Sequence, residues 1–387
     1  MRRGTTSGYG AHAKMPRRIL ITGGAGFIGS HLADALLLKG HTVRVLDCLV
    51  PQVHGETVDW PAWLAPEVEK LRGDVLDNEV WRRALRGVDV IYHLAAEVGV
   101  GQSMYEIVRY MNANTMGTAR LLEMLAWNGH AVEKLIVASS MSIYGEGAYG
   151  TRSGQRVYPR VRAAARLAAR QWEMCDHAAE PLMPLPTGED KPLYPTSIYA
   201  ISKRSQEEMC LAVGRAYNIP TVALRFFSVY GPRQSLSNPY TGVVAIFSSR
   251  LLNAKPPLIF EDGLQSRDLV HVRDIVQALV LCLERDAAHH EAINVGTGRQ
   301  VTILDIAKAL RRELRVKVEP QIVNQFRAGD VRHCFADINK AQRLLGYEPT
   351  VAFEDGIAEL VDWMRRQTAD DRVEMATAEL AARGLTR

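Results

Sequence analysis

Tyr199 and Lys203 stand four residues apart in TSIYAISK. On a helix that spacing puts a phenol and an ammonium on one face. A free phenol titrates near 10; a neighbouring cation and an oxidised pyridinium ring lower that value toward neutrality, giving a base for an alcohol whose carbon surrenders hydride. Upstream, TGGAGFIG places Gly24, Gly26 and Gly29 in the GxGxxG spacing of a dinucleotide-binding turn, and SSMS supplies Ser140 and Ser142 between that turn and the tyrosine. Ser140, Tyr199 and Lys203 are therefore the expected catalytic set of an enzyme that moves hydride to and from a nicotinamide, with Ser140 hydrogen-bonded to the reacting oxygen and Ser142 assisting.

Such residues need a frame that brings them together. RRILITGG reads as a buried parallel strand entering the glycine turn, and FIGSHLADALLLKG has helical apolar spacing with Gly40 as its stop. HTVRVLD, KLRGDV, VDVIYHLAA, EKLIVASS, TVALRFF and INVG read as further strands, separated by helical stretches such as MNANTMGTARLLEMLAWNG and SIYAISKRSQEEMCLAVGRAYN. This alternation predicts an α/β fold, a Rossmann-type doubly wound parallel sheet followed by a smaller mixed α/β substrate lobe. The expected organisation is a disordered tail over 1–15, a dinucleotide-binding domain over 16–225, a substrate lobe over 226–365 and a carboxy-terminal tail over 366–387, helical or disordered. An arginine- and alanine-rich insertion at about 146–194 interrupts the first domain near the mouth of the site, and segments near 268–296 return to it.

In the turn, Gly23, Gly26, Phe27 and Ile28 would offer backbone amides to a pyrophosphate at a helix amino terminus, while Gly29 lets helix and strand pack closely. Asp47, 18 residues after Gly29, would accept both hydroxyls of an adenosine ribose and repel a 2′-phosphate, favouring NAD over NADP; a surface aspartate is the alternative. Asp74, beside Val75, fits either a bond to the adenine amino group or a turn. Asn114, before Gly-Thr, is expected to position backbone beside the cofactor. His271 is expected to be a packed core residue.

Among the 387 residues, 47% are hydrophobic and 23% charged, and the net charge of +4 is spread along the chain, so a nucleic-acid partner is not implied. Five cysteines without a CxxC pair suit reduced thiols and a cytoplasmic location. The first residues lack the apolar core of a signal peptide, and no run of about 18 apolar residues implies a membrane.

TGGAGFIGSHL, GDV, HLAA, SSMSIYG, YAISK, RFFSVYGPRQ, RDLVHVRDI, NVGTG and RAGDVRHCFADI, in this order, resemble the extended short-chain dehydrogenase/reductase superfamily, in its NAD-dependent nucleotide-sugar epimerase and dehydratase branch. The resemblance implies bound NAD, with Leu94, Ala95 and Ala96 at the cofactor, a nucleotide-diphosphate sugar in the cleft, and a homodimer formed through helices around 105–127 and 197–217. It implies Ser142, Ser228 and Val243 at the substrate, Arg267 and Arg327 at its diphosphate, and Asp330 at its nucleoside ribose. For Arg267 the alternative is an ion pair with Asp268 or Asp274. Dehydratases of the branch carry an Asp-Glu pair where this chain has Met141 and Ser142, so the implied reaction is 4-epimerisation. The resemblance is nearest to the group acting on dTDP-L-rhamnose-like deoxyhexoses. A net oxidoreductase or decarboxylase, a dehydratase and a non-catalytic NAD sensor are the alternatives. Relatives with such an insertion often carry paired cysteines; Cys175 and His177 are too few for a tetrahedral zinc site, and no metal is expected.

Overall fold

In the computed structural model of the protein, residues 15–56, 59–127 and 131–386 are described; the tail expected over 1–15 lies outside them but for Met15. Seven parallel strands form the main sheet, in the order Ala292–Val295, Thr221–Phe226, Lys134–Ser140, Val90–His93, Arg18–Thr22, Thr42–Asp47 and Glu69–Arg72. Side-chain alternation splits the central strand between two cores. Ile19 and Ile21 join Leu32 and Leu36 of helix Phe27–Leu38, with Ile275 and Leu279 of helix Val272–Glu284, while Leu20 faces Trp81, Leu121 and Leu211 on the opposite side. Helices thus cover both faces, which is why the inner strands are largely apolar, whereas the edge strand Glu69–Arg72 buries only Leu71.

The first strand sits between the second and the fourth, so the winding reverses there and the loops at the strands' carboxyl ends part to leave a crevice. The strand Ala292–Val295 returns from the carboxy-terminal half to pair with Thr221–Phe226. The remaining lobe packs helices Val243–Leu252, Ile303–Leu314 and Phe353–Met364 around a third core that includes Phe247, Ile306 and Leu360.

Helix Ile198–Ala216 carries Tyr199 and Lys203. Its start is held twice: Ser197 accepts from the Ala200 amide at 3.1 Å, and Ser103 Oγ accepts from the Tyr199 amide at 3.0 Å. Farther along, Glu207 receives Arg225 Nε and Nη2 from the neighbouring strand, at 3.0 and 2.6 Å, with side-chain exposures of 3% and 7%. The stretch expected to be α-helical from Met111 instead opens with a π-helical segment, Met111–Met116, before helix Gly117–Trp127.

The 146–194 segment is a structured unit. Strands Arg156–Val157, Ala148–Gly150 and Met183–Leu185 form an antiparallel sheet, docked on the lobe through buried charges. Arg162 pairs with Glu261 at 2.7 Å, and fully buried Arg332 joins Glu261, Asp262 and Glu173.

The tail expected over 366–387 is folded over its described residues, 366–386: helix Val373–Ala382 buries Val373, Ala376 and Leu380. Its approach is fixed because Arg250 and Lys255 hold Asp371, which is 2% exposed. Beyond the helix, Leu385 O accepts from the Ala328 amide at 2.9 Å.

Because Glu207 is buried with Arg225 as its cation, Arg225→Met strands a charge and should lower unfolding free energy by about 3–5 kcal/mol in urea titrations. Adding Glu207→Leu should restore most of that loss.

Candidate active site

The crevice at the reversal holds a cavity of about 590 Å³. Every cofactor residue expected from the sequence lines it except Asn114, and Ser140, Ser228 and Val243 line it too. The two halves of the motif, turn and Tyr-Lys pair, therefore open onto one space.

In the turn the glycines divide their work. A side chain at Gly24 would strike Val45 at 2.6 Å, and one at Gly29 would strike Gly23 O at 2.5 Å, so both are required by packing. Gly23 has φ +66° and faces Ala95 so closely that a Cβ would sit 2.9 Å from its backbone, whereas Gly26 meets only Gly23 O, at 3.2 Å. Helix Phe27–Leu38 begins with no side-chain cap, leaving its first-turn amides without intrahelical partners beside the cavity. That bare, positive helix start fits a pyrophosphate.

Asp47 Oδ2 accepts from the Ala25 amide at 3.0 Å and Oδ1 from Leu49 at 2.9 Å, so the carboxylate braces the turn and keeps lone pairs for hydroxyl donors. Asp74 Oδ1 accepts from the Leu76 amide at 2.9 Å, the turn reading of that position, and the residue lines the cavity. Asn114 lies beneath the cavity wall: Oδ1 accepts from the Glu97 amide at 2.7 Å, and Nδ2 donates to Glu97 O and Ser202 Oγ at 3.0 and 2.9 Å.

Ser140 Oγ accepts from both the amide and the hydroxyl of Ser142, at 3.2 and 2.9 Å. With two acceptances made, its own proton is left to donate, and its bond to Tyr199 draws the phenol's pKa down while burial, the larger influence, raises it. On balance the phenol is raised by burial, where the sequence led to an expected lowering by the neighbouring cation; Lys203 Nζ donates to Gln206 Oε1 at 2.8 Å. Burial brings Lys203 down to about 8.

Four residues placed at the substrate by the sequence do not line the cavity. Ser142 sits behind Ser140. Arg267 donates to the carbonyls of Ser266, Val331 and Arg332 and lies 3.7 Å from Asp330; Arg327 donates to Asp330 Oδ2 at 2.9 Å and stacks on Phe260. Asp268 and Asp274, the alternative partners of Arg267, accept loop amides instead, those of Thr297, Gly298 and Ala336 and those of Thr350 and Val351. His271 is buried against Tyr230, as expected.

The walls also include residues to which the sequence assigned no role: Glu97 with Arg109, paired at 2.9 Å, and Gln234, Asn238 and Thr241 of the lobe. Gln206 was legible only as a third polar position on the Tyr199 face, three residues beyond Lys203.

The model of the NAD dependent epimerase/dehydratase family matches residues 19–172 and 173–296. The chain is 37% identical over 353 residues to dTDP-L-rhamnose 4-epimerase of Burkholderia thailandensis, covering 91% of this chain and 96% of that protein. Among solved structures it is similar to UDP-glucose 4-epimerase of Thermotoga maritima with UDP-glucose, at 32% identity and a TM-score of 0.73 over 90% of this chain and 99% of that one. It is also similar to UDP-glucuronic acid 4-epimerase of Bacillus cereus in complex with UDP-glucuronic acid and NAD, at 30% identity and a TM-score of 0.71, with the same coverage.

His93, wholly buried beneath this site, keeps a pKa near 3 through burial and the charge of Lys203, well below its ordinary 6.5. The unfolded chain therefore takes up this proton first, and stability falls as pH drops from about 6.5 toward 3, by up to about 1.4 kcal/mol per pH unit from this group. Unfolding titrations of His93→Gln should show a correspondingly flatter pH dependence than wild type over that window.

Proposed function

The chain belongs to the NAD dependent epimerase/dehydratase family, and from that premise we propose that it inverts C4 of a dTDP-6-deoxyhexose of the dTDP-L-rhamnose type, through a transient 4-keto sugar. The observation that carries this reading is the convergence of Ser140, Tyr199 and Lys203 on the cavity that also holds the glycine turn. The chain is an NAD-dependent nucleotide-sugar epimerase, and bound NAD supplies the acceptor and donor of hydride. Tyr199 takes the proton of the C4 hydroxyl and later returns it; Ser140, whose hydroxyl proton bonds Tyr199 in the free enzyme, turns to the same sugar oxygen; Lys203 keeps a positive charge beside them. The keto sugar turns over within the cavity before it is reduced on its other face, so net redox change is zero.

Two features favour epimerisation of a neutral sugar over the alternatives. Elimination lacks its acid and base, since Met141 and Ser142 follow Ser140. A sugar carboxylate, as in uronic acids, meets no unengaged cation among the described residues: the basic side chains lining the cavity there are His54, Arg109 and Lys203, with Arg109 held by Glu97 and Glu106, Lys203 by Gln206, and His54 3.7 Å from Asp47. Valines 98, 229 and 243 give the walls surface that suits a methyl at C6.

The substrate contacts proposed remain Ser142, Ser228 and Val243, the last two lining the cavity, with Arg267 and Arg327 at the diphosphate and Asp330, which Arg327 holds at 2.9 Å, at the nucleoside ribose. We also propose a cytoplasmic homodimer. Its basis is the exposure of Val108 (70%), Trp127 (75%) and Tyr217 (52%), all on or next to the two helices named for that role. No described helix is long and apolar enough to cross a membrane.

Incubated with dTDP-L-rhamnose, UDP-glucose and UDP-glucuronic acid in turn, the enzyme should equilibrate the dTDP sugar with its C4 epimer without added reductant, as read by NMR of the products. Tyr199→Phe should slow this by about 10²–10⁴-fold with bound NAD retained. Turnover of UDP-glucuronic acid alone, or accumulation of NADH in proportion to substrate, would overturn the assignment. Light scattering should give a mass of about twice the 43.0 kDa chain.

A further inference from the structure

Below the cavity floor the polar side chains join in one chain with a single consistent set of proton positions. Thr118 Oγ donates to Asn114 O at 2.6 Å, so its lone pairs receive Gln206 Nε2 at 2.8 Å and His93 Nε2 at 2.9 Å. His93 therefore bears its proton on Nε2, and Nδ1 accepts from Thr22 Oγ at 2.8 Å; Thr22 Oγ in turn accepts from the Ala95 amide at 3.1 Å, at the cavity wall. With its nitrogen consumed by Thr118, the Gln206 amide can turn only one way, presenting Oε1 to Lys203 Nζ at 2.8 Å. Thr22, His93, Thr118 and Gln206 are all 0% exposed and Lys203 is 3% exposed.

We infer that Gln206 is the positioning residue of Lys203: its carbonyl, oriented by Thr118 and His93, aims the ammonium and sets the pH at which that charge is lost. This rests on the role given to Lys203 above. A neutral acceptor suits the task because it anchors the ammonium without cancelling its charge, which a carboxylate at the same place would do. The titratable groups facing Lys203 are few. On its own helix these are Tyr199, Cys210 and Glu207, the last consumed by Arg225 of the adjoining strand; from strand Val90–His93 comes His93, neutral. The π-helical segment, helix Gly117–Trp127 and strand Lys134–Ser140 contribute Asn114, Thr118 and Ser140, which do not titrate. Burial lowers Lys203 to about 8, so the ammonium is sensitive to what accepts from it.

The test reads the amine itself. Labelling of Lys203 by acetic anhydride, followed by peptide mass spectrometry across pH 6–11 in the full-length, NAD-loaded protein, reports the fraction of neutral amine without any substrate. In Gln206→Glu, close to isosteric with wild type, the midpoint should rise by about one pH unit. In Gln206→Met it should fall. The alkaline limb of dTDP-L-rhamnose turnover should move in the same two directions, because the ammonium is the active form and is lost as pH rises. A purely structural role would lower the melting temperature and rate of both variants while leaving the midpoint in place, and that result overturns the inference. Full turnover by Lys203→Met would instead remove the premise, since Lys203 would then have no part in the reaction.

Discussion

A lysine ammonium almost sealed from water is the constraint around which this protein is arranged. Burial alone favours the neutral amine. The charge survives because Gln206 accepts from it and Glu207 and Cys210 lie near, while the main buried carboxylate on its helix is matched by Arg225. Had Glu207 been left free to swing toward Lys203, the charge would have been neutralised where the phenol needs it. The bidentate bond to Arg225, two strands' width from the cofactor turn, thus serves the site as much as the fold.

The same logic explains where the other charges went. Arg332, Arg162, Glu261, Glu173 and Asp262 are spent on docking the 146–194 unit to the lobe, and Arg267 on holding three backbone carbonyls of the strands beside it. A buried guanidinium with several donors is economical glue for loops that lack ladder partners. The cavity keeps few free charges as a result, and its discrimination rests on shape, apolar contact and placed hydroxyls.

Much of the parallel sheet was legible in the chain because most strands are short, largely apolar runs ending in a turn signal, and the glycine turn adds steric requirements that few other geometries share. The residues expected at the cofactor came together along one cavity, since they sit at strand ends. What stayed hidden depends on contacts between distant segments. The Gln206 to Thr118 bond spans 88 positions, and the π-helical opening at Met111 answers to Asn114 reaching Glu97 and Ser202, which no local propensity encodes. Arg267 and Arg327 carried a family role in sequence, but their direction is decided by Asp330 and by carbonyls that become neighbours only after the lobe has folded.

The segment after residue 365 has a mechanical meaning. It leaves the lobe through Arg250 and Lys255, lays Leu380 against Gly101 of the dinucleotide-binding half, sets Arg383 over the ring of Tyr105, and returns to pair with Ala328. The two halves are hence coupled by a further connection besides the chain crossings near 225, 268 and 296. Any rotation of one half against the other would either peel the final residues from Ala328 or carry along the loop that bears Arg327 and Asp330.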